Sequence, residues 1–272
     1  MRPVPVVAVI FLSALFSAPL QSQQPTAASA SPQAESLLQR ARAALSGANP
    51  ISDVTLTGTA RRIAGSDDES GSVTLKATLA ASRIDMSLPS GPHTEVRNNS
   101  ADAQQSGAQQ SGAWSGKDGV SHAAAFHNLL TEPAWFFPSF AVLRSLANSG
   151  YVVTLVGHET KDSVAVDHLS LQQNFSTIPA PQSTLLQHLS QVDLYLDSST
   201  LLPVAMTFNI HPDNNANLDI PIEIRYSDYR LVNGAQVPFH IQKFLNNGLI
   251  LDLQLTTATL NTGLASSIFA TQ

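Results

Sequence analysis

The last third of the chain alternates apolar and polar residues over three successive runs, at 220–226, 237–241 and 249–255. Such alternation is typical of strands with one buried face. The first two runs flank Asn233-Gly234, and Asn-Gly pairs favour the tight turn of a β-hairpin. The pattern therefore predicts an antiparallel meander. Strands of this length favour a strongly curved sheet that covers something on its concave side.

Earlier segments of similar character raise the predicted number of strands to about ten or eleven. A sheet with that many strands must coil or partly close. The earlier predicted strands lie at residues 54–58, 73–77, 83–88, 151–156, 164–171, 192–196 and 203–210.

Two helices are predicted beside the strands. Residues 32–46 carry an apolar stripe, with Pro32 at the first turn and Gly47 just past the end. Residues 139–147 follow Pro138, a residue placed to start a helix. Their apolar face includes Leu143.

The second helix ends the densest aromatic cluster of the chain. One interpretation makes this cluster a movable plug in the mouth of the curved sheet. The other makes it core, which is favoured because apolar clusters of this density are normally buried. The cluster contains Phe126, Trp135, Phe136, Phe137 and Phe140.

The first 30 residues have the pattern of a secretory signal peptide, with Arg2 ahead of an apolar run and small residues at 28–30. Cleavage is predicted between residues 22 and 30. The apolar run is shorter than the roughly 20 residues that span a bilayer. No stable membrane span is therefore expected after cleavage, and the protein is expected to be periplasmic.

Residues 31–272 are long enough for a single large β domain. Inside this domain the motif Gln-Gln-Ser-Gly-Ala occurs twice in tandem, at 104–108 and 109–113. The duplication predicts a flexible loop rich in Gln, Ser and Gly at 101–113.

Composition excludes several kinds of chemistry. Lys and Arg number 14 against 20 Asp and Glu, a formal net charge of −6, which disfavours a nucleic-acid partner. The absence of cysteine excludes disulfides, thiolate metal sites and a thiol nucleophile. It also removes the acceptor for the lipid of a bacterial lipoprotein.

No motif predicts catalysis. The sequence lacks His-Glu-x-x-His, Gly-x-Ser-x-Gly and a phosphate-binding glycine loop followed by Lys. The eight histidines are interpreted as scattered surface or strand-edge residues. No metal site, no cofactor and no catalytic residue is therefore predicted, although a hydrolase site assembled from distant residues stays open. The histidines are His93, His122, His127, His158, His168, His188, His211 and His240.

Two strand-and-turn motifs carry a family resemblance. A strand at 192–197 precedes Leu202-Pro203, and Tyr229-Arg230 precedes the Asn233-Gly234 turn and a strand opened by Val237-Pro238. Together with the order of helix, meander and aromatic insertion, these motifs resemble the periplasmic lipoprotein-carrier (LolA/LolB-like) superfamily. Within it, the resemblance is greatest to exported members of the acidobacterial type.

The resemblance implies a mainly β, α+β fold. Its long antiparallel meander would curve into a half-open β-barrel with an N-terminal helix and a helical aromatic insertion. In that superfamily the concave apolar face, closed by helices, holds acyl chains. This sequence departs from the pattern in the Gln-rich loop and in a long loop at 211–219.

A binding site for an acyl chain would then be lined by the aromatic insertion and by the apolar faces of the last two strands, although the same alternation also builds a filled core. Arg230 lies where a barrel rim would hold a lipid phosphate or carboxylate, with an ordinary structural role as the favoured interpretation. The candidate lining or lid residues are Trp135, Phe136, Phe137, Phe140, Leu143, Phe239, Ile241, Leu249, Leu251 and Leu253.

Three classes of function remain. The first is an exported carrier or binding protein for an amphiphile, with a lipid or an acylated protein as its partner. The second is a non-catalytic structural or interaction module of the cell envelope, with a protein partner on an edge strand. The third is a hydrolase. An apolar cavity of several hundred Å³ would favour the first class over the second.

Overall fold

The computed structural model describes residues 31–47, 49–99, 111–147 and 150–270. The signal peptide predicted at 1–30 lies outside the described residues, and so do residues 101–110 of the predicted Gln-rich loop. The end of that loop prediction is wrong. Residues 111–113 lie in a strand because they pair with residues 96–98 of the preceding strand.

Thirteen antiparallel strands form one sheet, which is not closed within the described residues. The mainly β, half-open barrel predicted from the sequence is confirmed. The strands are β1 (Asp53–Ala64), β2 (Asp67–Thr78), β3 (Ala81–Leu88), β4 (Gly91–Asn98), β5 (Ser111–Ser115), β6 (Ser121–Ala123), β7 (Tyr151–Lys161), β8 (Val164–Gln173), β9 (Val192–Asp197), β10 (Pro203–Ile210), β11 (Ile220–Val232), β12 (Ala235–Leu245) and β13 (Gly248–Leu260).

The predicted count of ten or eleven strands is wrong, because β4, β5 and β6 were not predicted. These strands are short or rich in polar residues, so they lack the apolar alternation that marks the others. The strand order is β6-β5-β4-β3-β2-β1-β13-β12-β11-β10-β9-β8-β7. The first and last strands of the chain therefore pair in the middle of the sheet, and its two edges, β6 and β7, are consecutive in sequence.

Helices cover the inner face of the sheet. α1 buries the predicted stripe of Leu37, Leu38, Ala41 and Leu45 and contacts α2, β7 and β12. One further short helix, α3, was not predicted. Among the described helices, none combines the length and the apolar content needed to cross a bilayer. The helices are α1 (Pro32–Ser46), α2 (Pro138–Ala147) and α3 (Gln182–Leu189), with 3₁₀ turns at Phe126–Leu129 and Ser266–Phe269.

The segment from Phe126 to Ala147, called here the aromatic segment, connects the two edges of the sheet and fills its inside. Trp135 is 1% exposed, and Phe136, Phe137 and Phe140 are fully buried, as the core interpretation predicts. For Phe126 that interpretation is wrong, because its side chain is 45% exposed. Aromatic pairs reinforce this packing, since the rings of Phe137 and Phe140 meet edge to face at 4.9 Å between centroids.

Hydrogen bonds hold the aromatic segment to several strands. Tyr226 of β11 donates its hydroxyl to the Trp135 carbonyl oxygen at 2.5 Å, and Ser82 of β3 donates to Pro133 at 2.6 Å. The buried Arg97 of β4 donates to the main-chain oxygens of Asn128 and Glu132, at 2.6 and 3.2 Å. Buried carbonyl groups need such donors. The segment is thus anchored at both faces and forms part of the core.

Candidate ligand-binding site

Two hollows open on the inner face of the sheet, on either side of Trp135. The larger hollow has a volume of about 380 Å³ and the smaller about 230 Å³. Both are bounded by Glu95, Trp135 and Lys243. The remaining walls are mostly apolar. Those of the larger hollow include Ile63, Ile84, Met86, Leu245, Ile250 and Leu251, and those of the smaller include Val96, Trp114, Leu129, Phe208 and Ile210.

Lys243 reaches this site because of its place on β12. Val237, Phe239 and Ile241 alternate along the inner face of that strand, and Lys243 is the next residue on the same face. Its Nζ atom lies 4.5 Å from the centroid of the Trp135 ring, within the range of a cation–π contact. The wall between the two hollows is therefore an aromatic ring with a cation on it.

The charge of Lys243 is only partly compensated. Burial lowers the pKa of Lys243, with Glu95 opposing that shift and Arg97 adding to it. In the described part of the chain, no carboxylate oxygen lies within ion-pair distance of its ammonium group. Burying a cation without a partner is costly. The site therefore presents a positive group that an anionic ligand group would stabilise.

The sequence analysis predicted ten lining residues. The structure places some of them at the hollows and others in the core. Trp135 lines both hollows and Leu251 lines the larger one. Leu143 and Leu249 are both half-buried; Leu143 contacts the main core, and Leu249 lies outside both linings. The others pack in the filled part of the core: Phe136, Phe137, Phe140, Phe239, Ile241 and Leu253.

A β-bulge explains the position of Leu249. The pairing of β12 with β13 shifts between Lys243 and Phe244, so the strict alternation of β13 does not continue to its start. Ile250, rather than Leu249, joins Leu251 at the larger hollow. A one-residue irregularity of this kind moves side chains between faces and leaves no clear mark in the sequence.

Arg230 is exposed and lies outside the lining of both hollows. Its guanidinium donates to Asp228 at 2.6 Å and stacks on the Phe239 ring at 4.3 Å from the centroid. These contacts hold the Arg230 side chain at the surface, away from both hollows.

The charged residues at the hollows were missed by sequence reasoning. Lys243 could have been found, because it continues the apolar face of β12 and a Lys at such a position is unusual. Glu95 and Arg97 likewise share one face of β4, but that strand was not predicted.

The prediction of scattered histidines does not hold for His188 and His211. The end of α3 and the loop after β10 bring both rings to the carboxylate of Asp219. A polar hollow of about 360 Å³ lies next to His188, lined also by Asp193, Thr207 and Glu223. Its polar lining makes it unsuited to an acyl chain, in contrast to the mostly apolar walls of the two hollows beside Trp135.

Comparison with known proteins identifies the type of fold. No family model matches the sequence, and a search of curated proteins finds no match. Among solved structures, a DUF1329 family protein from Desulfovibrio piger matches with a TM-score of 0.55 and 11% identity, over 88% of this chain and 96% of that chain.

Two further structures match over most of their length. A putative outer membrane lipoprotein-sorting protein domain from Vibrio parahaemolyticus has a TM-score of 0.52 and 11% identity, over 87% of this chain and 96% of that chain. The LolA superfamily protein NE2245 from Nitrosomonas europaea has a TM-score of 0.51 and 14% identity, over 87% and 97%. The chain therefore has a LolA/LolB-like fold.

Proposed function

We propose that the protein is an exported, periplasmic carrier that binds an amphiphile on the inner face of its sheet. The apolar chain of a lipid or of an acylated protein would lie in the hollows beside Trp135, and its anionic group would meet Lys243. The observation that carries the proposal is the pair of hollows that share one wall with an ammonium group, that of Lys243, which forms no ion pair with any described residue.

The size and chemistry of the hollows support this proposal. Small-molecule sites usually measure about 300–1,000 Å³ and combine an apolar lining with a few polar groups. The larger hollow, at about 380 Å³, is within that range. Hydrogen bonds between an ammonium and a carboxylate or phosphate are among the stronger ones, so Lys243 would select an anionic head group.

The fold adds a second line of support. One structural neighbour is described as a putative outer membrane lipoprotein-sorting protein domain. An activity of this kind needs an apolar site that excludes water from an acyl chain, which the two hollows would provide.

Intrinsic fluorescence offers a direct test. The chain has two tryptophans, and both Trp114 and Trp135 line the smaller hollow. Titrating the mature chain with palmitate or with phosphatidylglycerol should shift the tryptophan emission and saturate at a fixed stoichiometry. Native mass spectrometry of the same samples should show the matching adduct.

A matched pair of variants locates the bound chain. Ile250 is half-buried at the larger hollow, and Leu231 is 70% exposed on β11. Ile250→Asp should weaken palmitate binding about tenfold or more, the cost of losing one buried aliphatic contact. Leu231→Asp should leave binding unchanged. If neither probe gives an adduct or an emission change, the carrier proposal fails and an interaction module of the envelope takes its place.

A further inference from the structure

Three side chains from separate parts of the fold lie together, because two histidine rings contact the same carboxylate oxygen of an aspartate. His188 lies in the last turn of α3, His211 directly follows β10, and Asp219 directly precedes β11. The Nε2 atoms of His188 and His211 lie 2.9 and 3.0 Å from the same Oδ1 atom of Asp219. The loop at 211–219, which distinguishes this sequence from the family pattern, closes the arrangement.

The spacing of these atoms is close to that of a metal site. One ligand atom from each residue lies within 4.8 Å of the other two. In a tetrahedral zinc site with bonds of about 2.0–2.1 Å, the ligand atoms lie about 3.4 Å apart. The two Nε2–Oδ1 separations are slightly shorter than that, and a pair of ligand atoms as far apart as 4.8 Å would have to approach by about 1.4 Å. The side chains of His188 and Asp219 are half-exposed, which leaves them room to make this adjustment.

The donor groups also suit a metal. Neutral imidazole and ionised carboxylate are the ligand forms that zinc requires, and this cluster supplies two imidazoles and one carboxylate.

We propose that His188, His211 and Asp219 bind a divalent transition metal of the zinc class. Two imidazoles and one carboxylate form a donor set that suits zinc better than calcium or magnesium, which prefer oxygen ligands. Three protein ligands leave one coordination position open to water or to a second molecule. The metal would fasten α3 to the β10–β11 loop, at the edge of the polar hollow beside His188.

Isothermal titration of Zn²⁺ into the untagged mature chain, previously treated with a chelator, tests the site. The wild-type chain should bind one Zn²⁺ per chain, and its thermal midpoint should rise with added Zn²⁺. His188→Ala should weaken this binding about 100-fold or more, because loss of an outer-shell partner alone costs 10–100-fold. Asp219→Asn, which keeps the shape of the side chain, should also weaken it strongly.

His158→Ala is the matched control, because His158 also pairs with a carboxylate, that of Asp167, but belongs to no three-residue ligand cluster among the described residues. It should leave the affinity and stoichiometry unchanged. The midpoints of all variants in chelator should stay close to that of the wild type, which separates metal loss from unfolding. The proposal is overturned if the wild type binds no stoichiometric Zn²⁺, or if His188→Ala and Asp219→Asn bind it as the control does.

Discussion

Phe137 and Trp135 are nearly neighbours in sequence and almost equally buried, yet one is surrounded by close-packed core and the other separates two hollows. The difference lies in what faces each ring. Phe137 packs in the apolar core, whereas Lys243 lies on the ring of Trp135 and Glu95 lines the same hollows.

This comparison shows what keeps part of the interior open. Apolar side chains approach until the space between them is filled, to a density near that of organic crystals. A charged group loses too much solvation to be enclosed in the same way without a partner. The charged residues on β4 and β12 therefore lie at the border between core and cavity. Apolar residues occur on both sides of that border.

The largest expected effect on stability comes from a substitution in the close-packed core around Phe137. Phe137→Ala should lower the free energy of unfolding by about 3–5 kcal/mol, because it removes a fully buried ring and leaves a cavity. Urea denaturation measures this change. Phe126→Ala is the control, because Phe126 is 45% exposed and its loss should cost far less. Similar losses in both variants would contradict a packed interior around Phe137.

The anchoring of Trp135 should have the next largest effect. Tyr226→Phe removes the donor to the buried Trp135 carbonyl group and should cost about 1–3 kcal/mol of unfolding free energy. The fluorescence of Trp135 should change as well, since its main chain would lose its tie to β11. Chemical denaturation followed through that emission reports both quantities. An unchanged stability would show that the aromatic segment does not depend on this bond.

Lys243→Met should change stability in the opposite direction. Removing a poorly compensated cation should add about 0.5–2 kcal/mol of unfolding free energy at neutral pH, as functional residues often cost stability. The same variant should bind palmitate about 10–100-fold more weakly, the loss of one charge-assisted hydrogen bond. Lys117→Met is the control, because the Lys117 side chain is exposed. This variant should change neither the free energy of unfolding nor the affinity for palmitate.

The stability gain of Lys243→Met should depend on pH in a defined direction. The pKa of Lys243 is lowered in the folded chain, so the unfolded chain holds its proton more tightly. The penalty of the wild type is complete below the folded pKa and disappears as the pH approaches about 10.4, the usual value for Lys. The difference between the variants, measured by denaturation at several pH values, should shrink over that interval. A difference that grows with pH would contradict the burial of the charge.

Arg230→Ala should have the smallest effect. Its ion pair with Asp228 is exposed, and exposed pairs contribute little. Neither the thermal midpoint nor the affinity for palmitate should change. A clear loss of palmitate affinity would instead extend the binding site to the end of β11.

Much of the fold could be predicted from the sequence, because alternation along β7 to β13 reports burial of one face directly. Strand β4 was not predicted because its inner positions include Glu95 and Arg97 in place of apolar residues, and β5 and β6 were not predicted because they are only five and three residues long. Those same polar residues define the hollows. Charged residues on the inner face of β4 thus conceal the strand from pattern-based prediction, and they also give that face groups that could contact a ligand.

The candidate site could be predicted only in part. Trp135 of the aromatic cluster and Leu251 lie at the two hollows, but alternation cannot distinguish a cavity from a core. The bulge beside Lys243 and the path of the loop at 211–219 depend on contacts between distant segments. The meeting of His188, His211 and Asp219 was therefore beyond any local signal.

The pairing of β1 with β13 also bears on how the chain folds. Val54 pairs with Leu260, so the middle of the sheet forms only when nearly the whole chain is present. Contacts between such distant residues carry a large loop-closure cost and slow folding. We expect the two halves of the meander to collapse first and the seam between them to close last, so that a chain truncated before β13 would retain hairpins but no continuous sheet.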